Sequence, residues 1–397
     1  MAMELPFDLV EEILSWVPSK SLERFRCTCK QWETLISEPR FINKHLSNMR
    51  GREEQFTVFN DVTLVSHFTD SSTVSCVCVG IDFDDLNEPR LNMHDFEPLL
   101  SSSLLVKNMY HCDGLLLYVM RTHLLVLNPL LKQGRWIKCG KADHSLDAYG
   151  LGYISSNQPS CGNDYKMVRF RCGRSKDSSI KVYVYELKSD YWKVFDNIFD
   201  GFLEWPESNV CLRGTPYWIG YVKGRTCKTI ESFDFSKERF ETLFLPPSAI
   251  GSSRLDNSLS LGVFRGDKLS ILHESRVTGK IQLWVMKKHW SKLMTISTPE
   301  SSMFPRYSSY FIEKNGKLVL SIRGINYIKV YIAGKDDECQ NVENLCMDHL
   351  TSGSGCYYIP SLVPVPGFDD EAKRRSGFVL KKEIYDNGLG FKAQELS

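Results

Sequence analysis

The sequence lacks an excess of charge of either sign. Its 397 residues include 49 Lys and Arg against 48 Asp and Glu, which leaves a formal net charge of +1. Binding to nucleic acid or to an anionic membrane depends on clustered positive charge. The short basic run Lys373, Arg374 and Arg375 is too small to supply it. We therefore expect no nucleic acid and no membrane among the partners of this chain.

Long hydrophobic runs and secretion signals are also missing. The most apolar stretch, residues 115–127, is broken by Arg121 and His123 and is too short to cross a bilayer. A signal peptide begins with basic residues, whereas this N-terminus carries Glu4, Asp8, Glu11 and Glu12. The 13 cysteines are odd in number and scattered, so we expect free thiols rather than a disulfide framework. These features predict a cytoplasmic and/or nuclear protein.

Motifs that bind phosphates or carry a catalytic nucleophile do not occur. The chain has no P-loop, no GxGxxG and no GxSxG, and Gly150-Leu151-Gly152 is a fragment that we interpret as turn glycines. The run His111-Cys112-Asp113 precedes a predicted turn, and the equivalent segments of the chain do not repeat it. We therefore interpret these three residues as strand-end and turn residues, not as a triad.

Acidic and metal-ligating residues also form no persuasive site. Cys339, Cys346 and His349 are spaced more widely than zinc ligands usually are. The cluster of Asp82, Asp84 and Asp85 is typical of a solvated loop, although a hydrolase could use such carboxylates. We predict no catalytic residue, no metal and no cofactor, with a propeller hydrolase as the less favoured alternative.

The first fifty residues are rich in helix signals. Leu5, Leu9, Ile13 and Trp16 recur at helical spacing up to Pro18. Ser19 is positioned to cap a second short helix, and Thr28 with Gln31 has the spacing of a capping box for a third. Pro39 closes that helix, and Phe41, Ile42 and Leu46 indicate a further turn or two. About three short helices cannot bury so many large apolar groups alone, which leaves a helical cap on the main domain or an exposed docking surface.

The same segment resembles the F-box in the order and spacing of its residues. The resemblance rests on Leu5-Pro6, Asp8-Leu9-Val10, Ile13-Leu14, Val17-Pro18, Leu22, Arg26-Cys27, Cys29-Lys30 and Trp32. It implies binding to a Skp-type adaptor of the ASK family and, through that adaptor, to a cullin. The adaptor contacts carried over from the family are Leu5, Pro6, Leu9, Val10, Ile13, Leu14, Val17, Pro18 and Leu22.

The remainder of the chain repeats with a period of about 50 residues. One marker is a turn glycine before a short strand, at Gly114, Gly162, Gly214, Gly266 and Gly316, and one step back falls near Asn60. The other marker is an aromatic residue that opens a strand after a polar turn, at Trp136, Trp192, Phe240 and Trp290. We interpret the repeated tryptophans as blade-core residues.

Two hairpins per unit of this length are typical of a propeller blade of the kelch length, although the paired glycines of kelch repeats are missing. The sequence therefore predicts a small all-α F-box of about three short helices followed by an all-β domain. That domain is predicted to be a six-bladed (five to seven) β-propeller.

The repeat also resembles the plant F-box-associated interaction domain, through segments such as GLLLYV, LVLNPL, VYVYELKSDYW and SFDFSKERF. We place the F-box at 1–50, the propeller at 55–366 and a polar C-terminal tail at 367–397. The two resemblances together imply the substrate-recognition subunit of an SCF (Skp–cullin–F-box) ubiquitin ligase, which is not itself an enzyme. A non-degradative propeller scaffold is the alternative. The target is an unknown protein, and the candidate target-binding loops are 154–164, 171–180, 199–209, 221–229 and 249–257.

Overall fold

The fold was analysed in a computed structural model of the chain. The described residues are 5–53, 55–64, 72–83, 89–101, 106–120, 123–138, 147–156, 158, 161–172, 181–196, 208–221, 228–247, 257–275, 278–297, 309–313, 315–323, 327–334, 339–346 and 356–368. Within these ranges, no helix has the length and apolar character needed to span a membrane.

The α-helices in the described residues are confined to the N-terminal segment. There are four of them: α1 Phe7–Leu14, α2 Ser19–Phe25, α3 Lys30–Ser37 and α4 Pro39–Met49. The prediction of about three helices was therefore too low. Pro39 ends no helix but opens α4, because proline at the first helical position loses no intrahelical hydrogen bond. The resulting helix, at 11 residues, is longer than the other three.

Both predicted helix caps are wrong. Thr28 donates its hydroxyl to the carbonyl of Phe25, at the end of α2, and Cys29 occupies the N-cap position of α3 without a side-chain bond. Ser19 is the first residue of α2 rather than its cap, and Pro18 precedes it. The Ser19 hydroxyl is instead bonded to Glu53, far along the chain.

Every strand in the described residues follows the helices. The strands are β1 Phe56–Leu64, β2 Ser72–Phe83, β3 Pro89–Ser101, β4 Val106–Cys112, β5 Leu115–Met120, β6 His123–Asn128, β7 Gln133–Lys138, β8 Asp147–Ile154, β9 Asp164–Arg171, β10 Lys181–Glu186, β11 Tyr191–Asp196, β12 Asn209–Leu212, β13 Thr215–Tyr221, β14 Lys228–Asp234, β15 Arg239–Leu243, β16 Asn257–Phe264, β17 Lys268–Ser275, β18 Lys280–Met286, β19 Trp290–Ser297, β20 Ser309–Ile312, β21 Leu318–Arg323, β22 Tyr327–Ala333, β23 Cys339–Cys346 and β24 Cys356–Tyr358.

These strands form six four-stranded sheets with antiparallel neighbours, which we number as blades 1 to 6. Blades 2 to 6 each use four consecutive strands, beginning with β4, β8, β12, β16 and β20. Blade 1 has the order β24-β1-β2-β3, because Tyr358 of β24 pairs with Phe56 of β1. The first strand of each blade contacts the first strands of its neighbours, so the blades close into a ring. The all-β propeller and its predicted blade number are confirmed.

The glycine marker of the repeat corresponds to tight turns between the first and second strands of a blade. In the two-residue turns Asp113-Gly114 and Arg213-Gly214, both residues have positive φ (47° and 81°, 50° and 81°). This is the backbone of a type I′ hairpin turn, which glycine adopts without steric cost. Gly162 is an exception, since it lies in a longer connection between β8 and β9. The expectation of a turn near Asn60 is wrong, because Asn60 lies inside β1 and pairs with Cys76 of β2.

The aromatic marker corresponds to the outermost strands of the blades. Trp136, Trp192, Phe240 and Trp290 lie on β7, β11, β15 and β19. All four are half-buried, and Trp192, Phe240 and Trp290 pack against hydrophobic core clusters, so these two tryptophans lie at the edge of the blade cores rather than at their centre. The largest side chain that is fully buried among the described residues is that of Trp218 on β13, which is 0% exposed.

Gly150 and Gly152 are not turn glycines either, since both lie within β8. A Cβ at Gly150 would collide with Trp218, and one at Gly152 would collide with the carbonyl of Gly214. Their missing side chains therefore create the space in which blade 4 packs against blade 3.

Candidate protein-docking surface

An exposed apolar cluster lies on and beside α1. Leu5, Phe7, Leu9, Ile13 and Trp16 are 61%, 43%, 51%, 56% and 44% exposed. We call these five residues the α1 patch. They account for more than half of the large hydrophobic side chains that are exposed in the described part of the chain. Large apolar side chains that are left exposed on and beside one helix are typical of a surface where another protein binds.

The nine residues predicted to contact an adaptor do not all lie at the surface. Leu5, Pro6, Leu9, Ile13 and Pro18 are exposed, and Val10 and Val17 are half-buried. Leu14 and Leu22 are only 4% and 0% exposed, so they support the helices from inside and are not accessible to a partner. The helical period explains the division, because Leu9 and Ile13 share the outer face of α1 while Val10 and Leu14 face inward.

Phe7 and Trp16 extend the surface beyond the predicted residues. The Trp16 indole donates to Glu12 Oε1 at 3.0 Å, and the guanidinium of Arg52 lies 4.7 Å from its ring centroid. The ring is therefore held in one orientation although it is partly open to solvent. The position of Trp16, three residues after Ile13, indicates from the sequence alone that both lie on the same face, since residues at that spacing are neighbours on a helix.

Ion pairs fix α1 against α4. The buried carboxylate of Glu11 binds Arg40 Nη2 at 2.5 Å and Lys44 Nζ at 3.2 Å. Lys44 also lies 2.8 Å from Glu12, and this hydrogen bond, with that of Trp16, lowers the pKa of the Glu12 carboxyl. The outer face of α1 is thus presented on a fixed support.

The inner faces of the helices pack on the propeller. Leu14, Leu22 and Phe41 belong to one hydrophobic cluster with propeller residues such as Tyr110 and Leu115. Asn43 Nδ2 of α4 donates to the carbonyl of Cys161 at 3.2 Å, and Gly51 is in close backbone contact with Arg265. The predicted alternative of a cap is therefore correct for the packing of the helices, but it leaves the exposed outer face of α1 unexplained.

A buried polar group strengthens this junction. The backbone N–H and the hydroxyl of Ser19 both donate to Glu53 Oε1, at 2.8 and 2.6 Å. His45 Nε2 lies 2.8 Å from the carbonyl oxygen of Val17. Since a carbonyl oxygen can only accept, Nε2 carries a proton and donates it to Val17, and burial lowers the pKa of His45. These bonds tie the α1–α2 connection, α2, α4 and the segment after α4 into one unit.

The segment after β24 fills the space between the helices and blade 2. Asn128, which is 0% exposed, donates from Nδ2 to the carbonyls of Ser361 at 3.0 Å and Val363 at 2.7 Å. Val365 donates its N–H to Gln133 Oε1 at 3.0 Å, and Arg135 Nη1 donates to Pro366 O at 2.9 Å. Residues 361–366, close to the predicted end of the propeller, are thus part of its core.

The helices cover one end of the propeller. Their contacts at Cys161, Arg265 and Gly266 fall between the first and second strands of blades 3 and 5. Antiparallel strands reverse direction at each connection, so second-to-third-strand and blade-to-blade connections leave from the opposite end. Of the predicted target loops, 154–164 is on the helix side, and 171–180, 199–209, 221–229 and 249–257 connect strand ends on the far side. Most residues of these loops lie outside the described ranges.

The run His111-Cys112-Asp113 has a structural role. His111 Nε2 accepts the N–H of Gly114 at 2.9 Å, and the N–H of Ile359 lies 3.4 Å away. Burial lowers the pKa of His111 to about 4, so the ring stays neutral and its Nε2 remains an acceptor. It links the β4–β5 turn to the segment after β24, as the interpretation of a strand-end residue requires.

The remaining candidate chemistry is dispersed. Cys339 and Cys346 lie at opposite ends of β23. Asp82 lies within β2, where its backbone is opposite that of Arg90 on β3. Asp84, Asp85, His349 and the tail from 369 onward lie outside the described residues. In the part of the chain that the structure describes, no three His, Cys, Asp or Glu side chains are grouped to hold a metal ion.

Comparison with known proteins agrees with both domains. Residues 3–44 match the family model of the F-box domain, and residues 66–365 match that of the F-box associated beta propeller domain. A putative F-box protein of Arabidopsis thaliana is 34% identical over 404 residues, which cover 92% of this chain and 100% of that protein. The F-box/WD-40 repeat-containing protein 1 of the same plant is 31% identical and covers 92% of this chain and 90% of its own length.

Among solved structures, a putative 6-phosphogluconolactonase from Bacteroides fragilis covers 77% of this chain and 98% of its own. Its TM-score of 0.38 and identity of 10% are too low to carry an argument about function. The family models together extend over both structural parts, the four helices and the propeller. This chain therefore belongs to the F-box proteins that carry an F-box-associated β-propeller domain.

Proposed function

We propose that this chain is the substrate-recognition subunit of an SCF ubiquitin ligase. Its α1 patch binds a Skp-type adaptor of the ASK family, which in turn binds a cullin, and its propeller holds a target protein for ubiquitination. The observation that carries the proposal is the α1 patch, five large apolar side chains left 43% to 61% exposed on an F-box whose other face is buried.

The energetics of the patch favour a protein partner. Complete burial of one Leu, Ile or Phe side chain contributes about 1.5–3 kcal/mol relative to leaving it exposed. Leu9 and Ile13 are one helical turn apart, so a groove or helix pair of the adaptor can cover both at once. The fixed orientation of Trp16 lowers the entropic cost of burying it.

The function of such a subunit is to hold two partners at a fixed separation. The chain makes and breaks no bond in this proposal, and ubiquitin transfer accelerates because the target lysine is held near the charged conjugating enzyme. The continuous core between the helices and the propeller supports this reading, since a flexible joint would not fix the distance. Target binding is proposed at the far end of the propeller, where four of the five candidate loops connect strands.

Two parts of the proposal concern what the chain does not contact and where it acts. The balanced charge gives no support for nucleic acid or a membrane as a partner. We propose a cytoplasmic and/or nuclear location for the chain, because it would meet the adaptor and the cullin there. A non-degradative scaffold would use the same two surfaces and differs only in the fate of the bound target.

Co-purification with a Skp-type adaptor tests the proposal. The native chain is expected to bind one adaptor per molecule, and a triple variant Leu5→Ala, Leu9→Ala, Ile13→Ala is expected to bind at least about 100-fold more weakly. The matched control is Tyr191→Ala, Val194→Ala, which removes two side chains that are 59% and 52% exposed on the rim of blade 3. The control should bind like the native chain.

Two outcomes would overturn the proposal. Failure of the native chain to bind any Skp-type adaptor would leave the helices as a cap on the propeller. Equal loss of binding in both variants would show that the effect does not belong to α1. If the adaptor binds, the lifetime of captured targets with and without proteasome inhibition separates the ligase from the non-degradative scaffold.

A further inference from the structure

Two cysteines that are distant in the sequence meet at the centre of the propeller. Cys112 ends β4, the first strand of blade 2, and Cys211 lies in β12, the first strand of blade 4. Their Sγ atoms are 2.8 Å apart, and both residues are free thiols. Closing this gap to the S–S bond length of about 2.05 Å needs a movement of less than an ångström.

The surroundings of the two thiols differ. Cys112 is 1% exposed, and burial together with the neighbouring Cys211 raises the pKa of its thiol well above the usual value. Cys211 is half-buried and lines a cavity of about 70 Å³ beneath the end of α4. A cavity of that size holds several molecules as small as water, and hydrogen peroxide is scarcely larger. A small oxidant in this cavity can therefore reach Cys211 more directly than it can reach Cys112.

We propose that Cys112 and Cys211 are a redox-active pair that a peroxide converts into a disulfide across the centre of the propeller. The Cys211 thiolate attacks one peroxide oxygen, the O–O bond breaks, and with one proton the products are a sulfenic acid and water. The Cys112 sulfur then attacks the Cys211 sulfur and displaces its hydroxyl as a second water molecule, taking up the Cys112 proton. Two thiols are oxidised and one peroxide is reduced.

The disulfide would join two turns that lie beneath the helices. Cys112 directly precedes the turn Asp113-Gly114, and Cys211 lies just before the turn Arg213-Gly214. Asp113, Arg213 and Arg50, from the end of α4, all line the same cavity. Oxidation would therefore restrain the part of the propeller that supports the F-box. This inference stands apart from adaptor binding and holds whether or not the chain acts in a ligase.

Peptide mapping of the full-length chain tests the pair directly. Trypsin releases Cys112 in peptide 108–121 and Cys211 in peptide 194–213, each with a single cysteine. After treatment of the folded protein with hydrogen peroxide and alkylation of the remaining thiols, we expect the two peptides joined, with a mass two hydrogens below their sum. The linkage should disappear with dithiothreitol and should be absent in Cys112→Ser and Cys211→Ser.

Two measurements keep the test decisive. Cys172→Ser, a change at a cysteine that is 4% exposed, is the matched control and should form the linkage as the native chain does. Differential alkylation of the native chain needs no variant and so does not depend on the folding of any. The inference is overturned if peroxide modifies the exposed Cys27, Cys29 and Cys161 while Cys112 and Cys211 remain free thiols. It is equally overturned if the linkage forms only after the chain has been unfolded.

Discussion

Ser19 donates two hydrogen bonds to a single oxygen of Glu53, one from its backbone N–H at 2.8 Å and one from its hydroxyl at 2.6 Å. Ser19 is the first residue of α2, and Glu53 lies between α4 and the first propeller strand. Both residues are buried, with exposures of 0% and 7%. A buried carboxylate requires partners of this kind, so the pair helps to determine how the F-box is joined to the propeller.

Removal of this carboxylate should destabilise the protein. Glu53→Ala leaves the buried N–H of Ser19 without its acceptor and leaves the hydroxyl with only the Pro360 carbonyl, 3.4 Å away, so we expect a loss of about 1–3 kcal/mol in the free energy of unfolding. A double-mutant cycle with Ser19→Ala, followed by urea unfolding, should give a coupling above about 0.5 kcal/mol. Glu23→Ala breaks only the partly exposed pair with Arg26 and should change stability by less than about 1 kcal/mol. Strict additivity of the two changes would contradict the role assigned to the pair.

Leu9 and Leu22 should separate adaptor binding from folding. Leu22 is 0% exposed, so Leu22→Ala should cost about 2–5 kcal/mol of stability through lost burial and the remaining cavity. Leu9 is 51% exposed, so Leu9→Ala should change stability by less than about 0.5 kcal/mol and still weaken adaptor capture. The measurements are urea unfolding and adaptor binding by the folded fraction. The assignment of Leu22 to the interior fails if its replacement leaves stability unchanged and abolishes binding.

Asn128 should be irreplaceable by aspartate. Its Nδ2 donates to Ser361 O and Val363 O, and its Oδ1 accepts the N–H groups of Leu130 and Leu131 at 2.9 and 3.2 Å. Asn128→Asp removes the donor and places a buried carboxylate against two carbonyl oxygens. We expect a loss of at least about 3 kcal/mol, measured by thermal or urea unfolding.

Asn315→Asp is the matched control for that substitution. Asn315 is exposed and uses only its Oδ1, as acceptor of the Lys317 N–H at 2.9 Å, which a carboxylate preserves. Its replacement should be nearly neutral. A similar small effect of both substitutions would show that the segment after β24 is not anchored through Asn128.

The parts of the fold that sequence reasoning predicts are those with a local cause. Gly114 and Gly214 mark hairpin turns because the positive φ at those positions favours glycine, and glycines with positive φ follow the first strands of blades 5 and 6 as well, at Gly266 and Gly316. The helical spacing of Leu9 and Ile13 likewise predicts the outer face of α1. What is missed depends on distant partners. β24 completes blade 1 by pairing with β1, almost the whole chain away, and three residues carry no pattern that indicates it.

In the candidate docking surface too, the sequence predicts features with a local cause and misses those that depend on distant residues. The outer face of α1 follows from its own sequence, but the burial of Leu14 and Leu22 depends on how the helices meet the propeller. The cap expected at Ser19 fails because Ser19 instead bonds to Glu53, which local spacing cannot reveal, whereas the Thr28 hydroxyl bonds back to the carbonyl of Phe25. The contact of Cys112 with Cys211 joins blades 2 and 4 and has no sequence signal at all.

Gly152 should tolerate no side chain. A Cβ at this position would collide with the carbonyl of Gly214, whose oxygen accepts the Tyr153 N–H at 2.9 Å, and with the ring of Phe235. We expect Gly152→Ala to cost about 1–3 kcal/mol, because neither backbone can move without disturbing the junction of blades 3 and 4. Gly334→Ala is the control, since nothing lies within 4 Å of a Cβ there. Equal stability of the two variants by urea unfolding would contradict this close approach.

His111 should make stability depend on pH in a defined window. Its pKa is lowered by burial to about 4 in the folded chain, against about 6.5 in the unfolded chain. Below pH 6.5 the unfolded chain therefore binds a proton that the folded chain does not, and stability falls as the pH is lowered towards 4. The full effect of this one group is about 3 kcal/mol, and no further loss from it is expected below the folded pKa.

His111→Gln isolates this contribution, because the amide oxygen of Gln can still accept the N–H of Gly114 while the side chain no longer titrates. The variant should lose less stability than the native chain between pH 6.5 and 4, and the two curves should run parallel above pH 7. His289→Gln, a change at an exposed histidine, should reproduce the native curve. Urea unfolding at half-unit pH steps measures the difference, which cancels the carboxylates common to all three chains. Parallel curves for the native chain and His111→Gln throughout would show that His111 can be protonated in the folded chain, and the acceptor role of its Nε2 would have to be abandoned.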